Sequence, residues 1–390
     1  MIVQIYGAGF DNRGAQLMLL ATVQRLRELA PDTVCAVDLG RSTVEDRGSH
    51  GLRTLVPPVG ERSPRKTRLV GAYSLMSHGL SRAYNEQLGL VRRCDVDALL
   101  DISGYAYGDK WPAPIMAAAA ARVSDYRRRG KPVVLLPQMF GPFEDPAKRA
   151  AFEPIFRGAN LLYAREEESL RALRSLGQPN DADRIRLSPD ITIWVDPLPP
   201  PVRPEAPYAC LVPNAQMTRH ASQTWGDTYL EAMVRAAGRL QRHGIEPWVV
   251  VHDNGPADLA MGEQIAQAAG LPAERVLVEK DPQRIKGFLR DATMVIGSRF
   301  HALVSSLSSG TPVIALGWAH KYETLTQDFG VAEFCCQHNE GADCTIPHID
   351  RLTDETQRRE VEQTILNKKA EARESNEKMW REVAQTIGLN

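Results

Sequence analysis

Two rhythms of apolar residues alternate along the chain. The run IVQIYG (2–7) is short and bounded by glycine, as a buried strand would be. Ala15, Leu19, Val23, Leu26 and Ala30 then recur at the spacing of one helix face. Further strand-like runs are TVCAVDLG (33–40), DALLDIS (97–103), PVVLLPQ (132–138) and ANLLYAR (159–165). Helical patterns occupy 113–129, 145–157 and 166–176. Strands rich in Val and Leu that alternate with helices predict a parallel sheet covered on both faces. The stretch 41–68 is polar, basic and rich in Pro and Gly, and reads as a long loop.

The rhythm stops at VDPLPPPVRPEAP (195–207), where six of thirteen residues are proline. Proline fixes φ and lacks an amide donor, so this segment predicts a stiff, extended linker. After it the pattern restarts. Strands are expected at 208–214, 246–253, 275–279, 293–298 and 312–317, with helices at 227–242, 257–269, 282–290 and 300–308. A charged helix follows from about 354 to 388. Val361, Ile365, Ala372, Met379, Val383 and Ile387 make one apolar stripe on it. The reading is therefore an α/β chain of two doubly wound, Rossmann-like domains with a cleft between them. The expected divisions are 1–196, a linker at 197–207, a second domain at 208–345 and a C-terminal helical segment at 346–390 that packs on the body.

Composition narrows the function classes. The 47 Lys and Arg nearly balance the 48 Asp and Glu, which gives no global field for nucleic acid or an anionic membrane. No apolar run approaches the ~20 residues of a membrane span, and the N-terminus lacks the form of a signal peptide. Six cysteines in 390 residues do not form a disulfide framework, so reduced thiols and a cytoplasmic location are expected. Cys335, Cys336 and Cys344 lie near His338 and His348, but without paired C-x-x-C spacing, so no metal is assigned.

In doubly wound folds ligands sit beyond the carboxyl ends of the strands, so chemistry is sought just after each strand. GAGFDNRGAQ (7–16) follows the first strand and opens the first helix. Gly9 and Asn12 there suit a bound anion or hydroxyl-rich ligand at a helix N-terminus, or simply a turn. Asn12 replaces the glycine that a dinucleotide fingerprint needs. DISGYAYGD (101–109) offers Ser103, Gly104 and Tyr105, which suit sugar hydroxyls and ring faces or an ordinary strand–loop junction. Gln138 and Arg165 each end a strand. In GSRFHAL (297–303), Ser298, Arg299 and His301 sit where a strand hands over to a helix. Arginine there can grip a carboxylate or phosphate, and histidine can move a proton near neutral pH. The acidic pairs Asp95/Asp97 and Asp181/Asp183 fall outside strand ends and read as turns or caps.

Taken in order, GAGFDNRGAQLMLL, DISGYAYGD, LPQMFGPF, ARE, SPD, VIGSRFHALVSSLSSGTPVIALGW and HKYETL resemble the polysaccharide pyruvyl transferase family over about residues 1–330. The resemblance implies a GT-B-like fold and transfer of pyruvate from phosphoenolpyruvate to two hydroxyls of a sugar, forming a cyclic ketal. It implies Arg165, Arg299 and His301 at the donor and adds Lys321, from HKYETL, to the substrate-binding residues. No cofactor is implied beyond the donor substrate. The implied partner is a sugar or glycan acceptor, lipid-linked acceptors included, and not nucleic acid; the oligomeric state is left open. Two other readings remain: a GT-B glycosyltransferase using a nucleotide sugar, and a non-catalytic sugar- or anion-binding relative.

Overall fold

A computed structural model describes the chain except for Ala8, Asp11, Leu39, Arg41, residues 57–74 and 220–224, Asn254, Trp318 and Asn390. Two compact units emerge. The first comprises Met1–Asp11, Met18–Ile191 and Ser375–Asn390, and the second Asn12–Leu17 and Thr192–Glu374.

The first unit carries an eight-stranded sheet. Its strands are β1 (Ile2–Tyr6), β2 (Val34–Asp38), β3 (Arg53–Val56), β4 (Leu90–Arg92), β5 (Ala98–Asp101), β6 (Val133–Gln138), β7 (Leu161–Ala164) and β8 (Ile185–Leu187). They lie in the order β4-β3-β2-β1-β5-β6-β7-β8, and every pairing is parallel. The chain starts in the middle, runs out to β4 and returns to β5 beside β1. The order therefore reverses between β1 and β5, where Tyr6 pairs with Asp101. Such a reversal leaves a crevice at the carboxyl ends of the two strands.

The second unit repeats the plan with β9 (Tyr208–Val212), β10 (Glu246–Val251), β11 (Val276–Val278), β12 (Val295–Gly297), β13 (Val313–Leu316) and β14 (Cys335–Cys336). The order is β11-β10-β9-β12-β13-β14, again parallel throughout. Here the reversal falls between β9 and β12, where Val212 pairs with Gly297. Each unit has its own core of buried aliphatic and aromatic side chains, centred on Phe152 in the first and on Trp225, Tyr229 and Phe288 in the second.

Six helices carry or adjoin the candidate residues: α1 (Arg13–Leu29), α2 (Glu167–Leu176), α3 (Pro256–Ala268), α4 (Phe300–Leu307), α5 (His320–Asp328) and the C-terminal α6 (Glu355–Ile387). On α6 the stripe is buried as its spacing requires. Val361 and Ile365 join the core of the second unit, and Met379, Val383 and Ile387 are buried in the first. Trp380, which the stripe did not include, is buried with them.

One expectation fails locally. The stretch 41–68 is not a plain loop: it contains a short helix, Val44–Ser49, and strand β3. Thr43 starts that helix by accepting from the Asp46 amide while the Asp46 carboxylate accepts from the Thr43 amide. The remainder, 57–68, lies outside the described residues. The proline segment 197–207 has neither helix nor strand, and its Leu198 amide donates to the Gln283 carbonyl within the second unit.

Candidate functional site

In the first unit, the expected residues gather around one buried carboxyl group. Asp101 ends β5 and is fully buried. Its Oδ1 accepts the Ser103 amide at 2.9 Å and its Oδ2 accepts the Tyr107 hydroxyl. Burial pushes the Asp101 carboxyl above its ordinary range, against the pull of these donors. Gln138, also fully buried, donates to the Asp101 carbonyl at 3.5 Å and accepts the Arg165 amide at its own carbonyl at 3.1 Å. Gly104 turns the chain at a φ of 73° and accepts the Met139 amide. Tyr105 is half-buried, meets Trp111 edge-on at 5.9 Å and donates weakly to the Gly141 carbonyl at 3.4 Å.

Arg165 is deep in this unit, with its side chain 7% exposed. Nη1 lies 3.0 Å from Asp190 Oδ2 and Nε 3.6 Å from Glu166 Oε2. Burial raises the Glu166 carboxyl, while the Arg165 charge and the Ser169 hydroxyl pull it back. The guanidinium therefore already has two carboxylate partners.

The carboxyl edge of the second sheet is chemically different. Arg299 is the residue before α4, with extended backbone at φ −98° and ψ 111°. Nη1 lies 2.9 Å from Asp253 Oδ2 and Nη2 2.5 Å from Asp258 Oδ2, with the side chain 17% exposed. Burial works against this charge, but Asp258 and Asp253 outweigh it and hold the guanidinium pKa above its usual value. Asp258, in the first turn of α3, also accepts the Ala215 amide through Oδ1 at 2.9 Å. A cavity of about 490 Å³ opens here, lined by Gln216, Asp253, Pro256, Asp258 and Arg299.

His301 lies one helical position past Phe300 and meets its ring edge-on at 5.5 Å. Its imidazole packs directly on Gly14, in the first turn of α1. A Cβ at Gly14 would overlap the His301 ring, so only glycine permits this approach. Asn12 is engaged locally: its Oδ1 accepts the Ala15 amide at 3.1 Å, which caps α1. Gly9 is buried nearby in sequence. Ser298 points into the core. Its hydroxyl bonds the Tyr229 hydroxyl, and its carbonyl accepts from Asn214 at 3.0 Å and Tyr322 at 2.7 Å. Lys321 reaches over the Phe300 and Tyr322 rings, 5.6 and 5.3 Å from their centroids.

His252 went unnoticed in the sequence. It follows β10, is 4% exposed, and its Nε2 has no hydrogen-bond partner among the described residues. Burial, reinforced by the neighbouring His301, Arg299 and Arg13, pushes its pKa well below the ordinary histidine value, so the ring is neutral at neutral pH. The rule that chemistry follows a strand would have found it, since VVVHD (249–253) has the same form as VIGSR (295–299). Among the described residues no group of three or more His, Cys, Asp or Glu is arranged to hold a metal ion. The six cysteines are free thiols, five of them buried.

Two parallel Rossmann-like units, each with polar groups at the carboxyl edge of its sheet, define a GT-B-like architecture. Solved structures agree on the fold. UDP-GlcNAc 2-epimerase from Neisseria meningitidis, bound to UDP-GlcNAc, superposes with a TM-score of 0.60 at 11% identity, covering 100% of both chains. The UDP-GlcNAc 2-epimerase from Methanocaldococcus jannaschii gives 0.55 at 10% identity over 91% of this chain and 93% of that one. No curated protein sequence matches the chain. The family is fixed by sequence: the model of the polysaccharide pyruvyl transferase family matches residues 12–320, and the chain belongs to that family. It is accordingly a transferase of polysaccharide modification. Among the described residues no helix is long and apolar enough to cross a membrane.

Proposed function

We propose that the protein transfers the pyruvyl group of phosphoenolpyruvate to two hydroxyls of a sugar unit in a glycan or glycolipid precursor. The product is a cyclic ketal, and inorganic phosphate is released. The observation that carries this reading is the grouping of His301, Arg299 and His252 at the carboxyl edge of the second sheet, in a chain of this family. The donor is assigned to the second unit and the acceptor to the first, where Ser103, Gly104, Tyr105 and Gln138 supply hydroxyl, amide and aromatic groups suited to a sugar.

The chemistry follows from the donor. A proton is added to the methylene carbon of phosphoenolpyruvate, which leaves oxocarbenium character at the central carbon. One sugar hydroxyl adds there and loses its proton. Phosphate then departs with the C–O bonding pair, and the second hydroxyl closes the ketal. The two hydroxyl protons balance the new methyl hydrogen and the proton on the released phosphate. The gain of a C–O bond at the central carbon is offset by the gain of a C–H bond at the methyl carbon, so the pyruvyl unit keeps its oxidation level and the step needs no external oxidant or reductant. His301 is the proton-transfer group, because an imidazole can give and take a proton near neutral pH.

Arg299 orients the donor from a fixed position. A guanidinium has five N–H groups, and its two carboxylates engage only the terminal nitrogens. Arg165, likewise preset by Asp190 and Glu166, is read as the charge that holds the carboxyl edge of the first unit's sheet in place. Asn12, Gly9, Ser298 and Lys321 complete the set as cap, turn and supporting contacts. The test is to incubate the protein with phosphoenolpyruvate and a panel of sugars and lipid-linked sugars and to follow phosphate. Sugar-dependent release with ketal-bound pyruvate supports the reading. Consumption of a UDP-sugar with phosphoenolpyruvate untouched would assign the site to glycosyl transfer instead.

A further inference from the structure

Arg165 and Arg299 are matched by carboxylates, but a third buried arginine is not. Arg13 opens α1 and is 5% exposed, as deeply buried as Arg165. Its Nη2 donates to the Glu279 backbone carbonyl at 2.6 Å, and its Nε is buried without a partner among the described residues. No carboxylate among the described residues forms an ion pair with it.

Three carboxylates act on Arg13 from nearby, and each is engaged elsewhere. Asp253 pairs with Arg299. Glu279 turns its Oε1 to the Lys280 and Asp281 amides, at 2.6 and 2.9 Å, and its Oε2 toward Arg284. Asp281 caps the helix Pro282–Arg290 by accepting the Gln283 amide at 2.8 Å. Their attraction does not make up for burial, which leaves the Arg13 pKa below its usual value. A buried guanidinium without a matched counter-charge is costly, and a bound anion would offset that cost.

Two imidazoles lie in the surroundings of Arg13. Arg13 is followed by Gly14, on which the His301 ring packs, and Arg13 acts electrostatically on buried His252, whose Nε2 is also unpartnered. We propose that Arg13 is the principal receptor of a small phosphorylated ligand in the second unit, holding its phosphate beside His252 and His301. This rests on the proposed donor and deepens it: Arg13 takes the phosphate, and the carboxylate-bound Arg299 serves to align it.

The experiment uses the full chain and its variants R13Q and R13K, with phosphoenolpyruvate, inorganic phosphate and UDP as separate probes in calorimetric titration. Thermal unfolding of the ligand-free proteins is recorded alongside. R13Q is expected to bind phosphoenolpyruvate about 10–100-fold more weakly, the loss of a charge-assisted bond, with R13K between it and the parent. R13Q should melt at or above the parent temperature, because it removes an uncompensated buried charge. A purely structural arginine would instead leave a protein that melts lower and binds as before, and that result overturns the inference. If the parent binds inorganic phosphate or UDP but not phosphoenolpyruvate, and R13Q loses that binding, Arg13 stands as the receptor and the donor assignment falls. If the parent binds phosphoenolpyruvate and R13Q binds it equally well, the donor stands and the inference about Arg13 falls.

Discussion

Arg165 and Arg299 occupy matching places in the two units, each just past a parallel strand, yet their settings differ. Arg165 is buried beside Asp190 and Glu166, both themselves buried, and its neighbours Gln138, Asp101 and Tyr107 are linked by buried hydrogen bonds. Arg299 is more exposed, borders an open cavity, and has two histidines and a second arginine in its surroundings. One strand-end arginine is part of a framework, and the other is part of a site equipped with imidazoles. An arginine after a strand is thus not by itself an anion site: both charges are matched by carboxylates, and what differs is the exposure, the cavity and the imidazoles beside Arg299.

The comparison breaks most visibly at His301. If the second unit carries the proton transfer, His301→Ala loses about 10²–10⁴-fold in turnover while its melting profile stays near the parent's. Near-parental turnover in that variant across pH 6–9 would remove the distinction between the two edges. A smaller but still large effect is expected in the framework itself. Asp190→Ala takes the nearer of two carboxylates from the buried Arg165 charge, and should cost about 3–5 kcal/mol in denaturant unfolding. Asp253→Ala should cost well under half as much, because Arg299 keeps Asp258 and lies closer to solvent. Equal losses would mean that the two arginines are framework alike.

The smallest effect is a pH slope. His252 is neutral when folded, with its pKa depressed, while the unfolded chain takes up a proton there near pH 6.5. Below that value the unfolded state binds more protons, so stability falls as pH drops, until the folded value is also passed. His252 contributes at most ~1.4 kcal/mol per pH unit over that window. Unfolding titrations of His252→Asn should show a shallower loss between pH 6.5 and 5 than the parent does. An unchanged slope would place the buried charge balance elsewhere.

Most of the architecture was legible because long, strongly periodic segments carry it. Nine helices, from the one starting at Arg13 to α6, fall within a few residues of their expected bounds, and so do the ten expected strands. The strands that escaped notice are β3, β4, β8 and β14, of two to four residues at or beside a sheet edge. A run that short cannot show alternation, and edge positions tolerate polar residues such as Arg92 and Arg186. At the site, His301 and Arg299 were legible because their motif sits at a strand–helix junction. Asp253, Asp258 and Asp190 were not seen as partners, since pairing across 25 or more residues of sequence leaves no local pattern. Arg13 lies within the GAGFDNRGAQ motif, but nothing in the sequence tells a matched buried charge from an unmatched one.

The proposed reaction turns on one step: protonation of the methylene carbon of phosphoenolpyruvate before the ketal closes on a sugar. Running the transfer in deuterium oxide, and reading the product methyl group by NMR and mass spectrometry together with released phosphate, observes that step itself. One deuterium is expected in each ketal methyl, with one phosphate per ketal and both products falling together by about 10²–10⁴-fold in His301→Ala. A ketal methyl without deuterium, or an acceptor glycosylated from a nucleotide sugar while phosphoenolpyruvate stays intact, would overturn the proposed chemistry.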